Sequence, residues 1–371
     1  GNGGTGGPWD LAINAPTAAV TFGQTTGPGN GRIGGADGAS RLRDVTVTAG
    51  TATTHGQVFA RGLTVTNTGT LTINDVTSAD DTAAIDVDLT GPFTQSGGGS
   101  VNIAGDITTA GTTIDIADAV TLIGSVRLDT GADAGSIRLR NTVDGNDAVG
   151  ESLILNSGTG VISLEGSVGS GVSLDRVTIE TAARIAGALN ATTESAAIEA
   201  AHVAIQDVTD IARLGDVTTL SSDGVDLTGA RFLLDGAVST VNGGSLTVNN
   251  TGDLIISGSG DVGPLTGPFT QSGEGDVYLG AGIDTSNADG GNGAAVSFNG
   301  DIYVVPGYPY AATGTVTIDA GGAAVGPVDA DAPVPLTIYA PGSPVTLRAD
   351  TVDLESLVLY AGDVDLAGSN V

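Results

Sequence analysis

The chain of 371 residues has 60 Gly, no Cys, 4% aromatic and 40% hydrophobic residues. This excludes disulfide stapling, thiolate chemistry and a large aromatic-filled core, yet leaves too much apolar material for a disordered chain. Its 42 acids against 12 bases, every base an Arg, give a net charge of −30, a field that argues against nucleic-acid binding and attachment to anionic membranes.

Residues 1–40 form a Gly-rich N-terminal segment, with Gly-rich runs on either side of Trp9. Such a segment reads as a cap, a linker or an assembly arm. Through residue 60 the charges cancel, three Asp against three Arg, so the negative charge belongs to the remaining body. Trp9 is the candidate anchor on a neighbouring molecule.

Beyond residue 40 the pattern changes to brief alternating segments, among them Leu63–Val65, Leu71–Ile73, Val101–Ile103, Ile114–Ile116, Val126–Leu128 and Ile137–Leu139. Period two with branched aliphatics predicts half-buried strands, and the intervening Gly, Asn and Asp predict tight turns. The adjacent acids Asp80 and Asp81 read as solvated loop. The group Asp144, Asn146, Asp147 and Glu151 is a weaker candidate for holding a hard cation. The Ala-rich stretch 181–214 is the one place with room for a helical insertion.

An internal repeat gives the long-range organisation. Leu63-Thr-Val-Thr-Asn-Thr-Gly69 returns as Leu246-Thr-Val-Asn-Asn-Thr-Gly252, offset by 183, and Gly91-Pro-Phe-Thr-Gln-Ser-Gly97 returns as Gly267-Pro-Phe-Thr-Gln-Ser-Gly273, offset by 176. The difference of seven points to a shortened loop between the blocks. Two related superunits, roughly 41–180 and 215–371, follow from this, each too long for one repeat and so built of several coils of about 20 residues.

In the second superunit Asp284, Asn287, Asp289 and Asn292 bring closely spaced oxygens together among glycines, the chemistry of a Ca²⁺ loop. Their spacing fits no EF-hand, and Asx turns explain the same residues. Tyr303, Tyr308 and Tyr310, among prolines, mark a projecting loop able to touch a partner. His55 and His202 are the only imidazoles, and neither sits in a recognisable hydrolase or metalloprotease motif. No apolar run approaches the roughly 20 residues of a membrane-spanning helix. The chain opens at Gly1 as a mature or excised piece would, and its last residues, Gly368–Val371, carry no evident cap.

The run Gly91–Gly97, then Ile107-Thr-Thr-Ala-Gly, Ile114-Asp-Ile, Val120-Thr-Leu, Leu128-Asp-Thr-Gly and Leu155-Asn-Ser-Gly-Thr-Gly-Val-Ile, resembles the repetitive shaft of filamentous-haemagglutinin-like giant bacterial surface proteins. The likeness covers roughly residues 63–180 and 246–360. It implies a right-handed parallel β-helix and a role in adhesion or a cell-surface fibre. The expectation is therefore an all-β protein, a right-handed parallel β-solenoid with a Gly-rich N-terminal segment, secreted to the extracellular space or cell surface. It acts without catalysis as the building block of a fibre or sheath, or as an adhesin shaft. Expected partners are further copies of the chain, and a glycan or protein of the host or environment. No cofactor is expected beyond Ca²⁺ at the Asp-rich loops. The rival expectation is a carbohydrate-active β-helix enzyme of the polysaccharide lyase or hydrolase type.

Overall fold

The structure is a computed structural model. It describes residues 9–23, 31, 33–36, 40–75, 86–147, 150–187, 196–287, 293–304, 316–320, 324–327, 336–340, 345–348, 351–352, 357–361 and 364–366. Among them there is no helix. All six alternating segments read from the sequence fall on strands. The stretch with room for a helix is almost wholly strand where it is described, in Leu174–Ala186 and Ala196–Leu234. Helical spacing of the buried positions does not arise there. Instead Ala196, Ile198 and Ala200 are buried at every second position, and that period fixes the strand.

Contacts divide the chain into two units, one mainly Gly1–Asp175 and the other mainly Ala191–Val371. The first contains three parallel ladders. One joins Thr70–Ile73, Ser100–Ile103, Val120–Leu122 and Val143–Gly145. A second joins Val87–Leu89, Ile107–Thr108, Val126–Asp129 and Ser152–Asn156. The third joins Phe93–Ser96, Ile114–Ile116, Ile137–Leu139 and Val161–Leu164. The chain visits the three in turn and returns to the first, so Val101 stands beside Val120 and Val120 beside Val143.

The second unit repeats this arrangement. Leu246–Asn250, Phe269–Gln271 and Val296–Phe298 form one ladder, and Leu254–Ile256, Val277–Leu279 and Ile302–Tyr303 another. Ile283–Asp284, Val316–Asp319, Val345–Arg348 and Val364–Leu366 form the third.

Along each ladder the inward positions repeat, so like stacks on like. Val101, Ile103, Ile114, Ile116, Val120 and Leu122 are all buried, and aliphatics of similar volume close the space between rungs without large rings. This is why the low aromatic content is compatible with a packed interior. The few Phe that are used, Phe93, Phe232, Phe269 and Phe298, are fully buried.

The sequence repeat is also a structural one. Leu63 pairs with Phe93 and Val65 with Gln95 in the first unit, while Leu246 pairs with Phe269 and Val248 with Gln271 in the second. In both, the buried Gln donates to a buried Asn of the preceding rung, Gln95 Nε2 to Asn67 Oδ1 and Gln271 Nε2 to Asn250 Oδ1, each at 2.8 Å. The Asn then donates to the carbonyl two residues on, Gly69 or Gly252. The glycine two residues past each copy of the second block is required sterically. A Cβ on Gly99 would lie 1.9 Å from the Gly69 carbonyl oxygen, and one on Gly275 would lie 1.7 Å from that of Gly252. The Asp80–Asp81 loop lies outside the described residues.

Candidate interaction surfaces

The first strand, Leu11–Gly23, is formed by the segment read as cap, linker or arm. It pairs in parallel with Leu42–His55, Leu11 opposite Val45 and Gly23 opposite His55, with one irregularity between Ala15 and Ala19 around Pro16. Its other edge has no ladder partner among the described residues, and none of its thirteen residues is fully buried. The strand contains no charged side chain, so among the described residues only Pro16 and the irregularity beside it blunt this edge.

Charge is placed around this strand instead. Trp9, 71% exposed, precedes it, and the Trp9 carbonyl accepts the Arg43 backbone N–H at 2.9 Å. Arg43 forms a two-pronged pair with Asp10, its Nε donating to Oδ1 at 2.7 Å, and this hydrogen bond holds the Asp10 carboxyl below its usual range. Arg61 clasps Asp44 in the same way. Arg41 bridges to Asp88 at 2.8 Å and lies over the Phe59 ring. Among the described residues, Arg41, Arg43 and Arg61 are each paired with an Asp, which offsets their charge locally.

Tyr303, singled out with Tyr308 and Tyr310, belongs to a different group. It stacks on Tyr278 with ring centroids 5.1 Å apart and planes at 19°. The register continues the column by pairing Tyr303 with Tyr339 and Tyr339 with Tyr360. Four of the six tyrosines therefore share one ladder position. Tyr308 and Tyr310 lie outside the described residues. The signal for the column was present in the sequence: each of these Tyr directly follows an aliphatic residue, Val277, Ile302, Ile338 or Leu359.

Of the Ca²⁺-loop candidates, Asp284 uses its carboxylate locally, Oδ1 accepting from the Ser286 N–H at 2.8 Å and its hydroxyl at 2.6 Å. Asn287 is exposed, and Asp289 and Asn292 lie outside the described residues. Among the described residues no three acidic or imidazole side chains converge on a point where a metal would sit. Acids do align along the ladders. Asp253, Asp276 and Asp301 each precede a paired inward residue, and burial, then the charges of Asp301 and Asp253, push the Asp276 carboxyl up. Asp106 is raised mainly by burial despite Arg127 beside it. The two imidazoles have separate partners: His202 Nε2 lies 3.1 Å from Asp226 Oδ2, and His55 Nδ1 lies 3.1 Å from Asn74 Nδ2.

No family model, curated protein or solved structure matches the chain. Its own geometry carries the functional reading.

Proposed function

We propose that the chain winds as a right-handed parallel β-helix and serves, without catalysis, as a building block of an extracellular fibre or sheath or as the shaft of an adhesin, joining copies through its ends. The winding is supported by strands that return in parallel to the same ladder after two intervening strands, since such crossovers are right-handed in about 98% of cases. Secretion is in keeping with the Cys-free, Asp-rich, Lys-free composition.

The observation that carries assembly is the uncharged strand Leu11–Gly23, paired on one side among the described residues. Its open edge offers backbone donors and acceptors as a template for another strand, and β-addition supplies affinity through main-chain hydrogen bonds. The nearby Arg–Asp pairs lower the charge that would otherwise repel a second acidic copy at this edge.

The test places charge on that strand at side chains that already face solvent. The double variant Ala12→Lys, Thr21→Lys is expected to sediment as a monomer with the β-sheet circular dichroism of the native chain, while the native chain sediments as larger species. Assembly that is unaltered in the variant would rule out this edge as the joint.

A further inference from the structure

We propose that the first unit holds one divalent hard cation, of the Ca²⁺ class, in an oxygen cradle over Gly145. One inward column of the first ladder runs Ile73, Ile103, Leu122 and then Gly145. Where three rungs place a branched aliphatic, the fourth has no side chain. The space is approached by oxygens: Glu151 Oε2 lies 3.1 Å from where a Cβ on Gly145 would be, and the carbonyl oxygens of Asp147 and Ser173 each lie 3.3 Å from it.

Glu151 is the unusual member. It is only 7% exposed, and its Oε2 has no hydrogen-bond donor among the described residues. A carboxylate taken out of water is costly unless a donor or a positive charge meets it, and carbonyl oxygens offer neither. Glu151 Oε2 requires a positive centre, and the two carbonyl oxygens flank the place where it would sit. One carboxylate with backbone carbonyls is the ligand chemistry of Ca²⁺, whose flexible shell of 6–8 oxygens admits water at the remaining positions, whereas Mg²⁺ demands a tighter octahedron.

Asp144 is not a ligand. Its Oδ1 accepts the Gly171 N–H at 2.7 Å and the Val172 N–H at 3.4 Å, which fixes the chain segment that delivers Ser173. The Asp144–Glu151 group read from the sequence thus divides into a loop clamp and a cradle, and the cradle is independent of the proposed assembly edge.

The experiment is calorimetric titration of CaCl₂ into the chelator-stripped full-length protein in about 150 mM NaCl, where diffuse binding to surface acids is screened. One saturable site is expected. Glu151→Gln keeps the shape and removes the charge. Gly145→Ala keeps every charge and places a methyl within 3.1–3.3 Å of the three oxygens. Each is expected to weaken that site at least ten-fold, while Glu274→Gln, an exposed control, retains it. Circular dichroism verifies that each variant is folded, and either one suffices. Absence of a saturable site in the native chain, or its retention in a folded Glu151→Gln or Gly145→Ala variant, overturns the proposal.

Discussion

Asp276 shows how a single side chain in this protein is governed by the rungs beside it. Its carboxyl is raised first by burial and then by Asp301 and Asp253, so the folded state holds its proton more tightly than the unfolded chain does. The folded form binds more protons in the window between the two pKa values, and stability falls as pH rises through it. The charged carboxylate is therefore a cost at neutral pH. Asp276→Asn is expected to raise stability at pH 7 by roughly 0.2–1 kcal/mol, the general size of a cross-strand side-chain interaction. The gain should vanish at about pH 3, where the native side chain is protonated in both states. Urea midpoints at the two pH values check it; a variant no more stable than the native chain at pH 7 would show that the column is fully screened. The composition gave the acid excess, but not which Asp would be stacked, because stacking depends on register between residues more than twenty positions apart.

At the scale of elements, the repeat of Asn and Gln is what fixes neighbouring strands to one another. Gln271 Nε2 donates to Asn250 Oδ1, the Gly273 carbonyl and the Gly275 carbonyl, and its Oε1 accepts from the Asn299 and Gly300 N–H groups. With the side chain fully buried, loss of the amide strands several polar groups at about 1–3 kcal/mol each. Gln271→Leu should thus cost about 3 kcal/mol or more, against less than about 0.5 kcal/mol for the exposed Gln206→Leu. Chemical denaturation of both variants measures this, and similar stabilities would contradict the account of the motif. Strand existence was legible because alternation is local: Val101–Ile103 and Ile114–Ile116 announce their buried faces within three residues. The repeated Gly-Pro-Phe-Thr-Gln-Ser-Gly was legible as a repeat, though its purpose was not, since Gln95 and Gln271 find their Asn partners 28 and 21 residues away. The stretch 181–214 was misleading because Ala favours helices in isolation, whereas burial at alternate positions such as Ile198 and Ala200 decides for strand. Tyr303 was grouped with Tyr308 and Tyr310 by nearness in sequence, and the ladder regroups it with Tyr278. Glu151 reads in the sequence as one of a group with Asp144, Asn146 and Asp147; only the missing side chain of Gly145 in an otherwise aliphatic column separates it from them and shows what its carboxylate faces.

For the molecule as a whole, the net charge of −30 opposes association of copies, and the parallel ladders favour it. Repulsion is long-ranged and screened by salt, while an edge-to-edge backbone ladder is short-ranged and little affected. In the proposed assembly, the neutral first strand and the Arg–Asp pairs beside it let the two effects act on different parts of the chain, so that copies would join at the open edge of that strand. The most direct measurement is electron microscopy of the purified full-length protein in about 150 mM salt, with diffraction from aligned material. The account predicts filaments or sheets with a repeat of about 4.8 Å between parallel strands, and isolated particles at every protein concentration would contradict it.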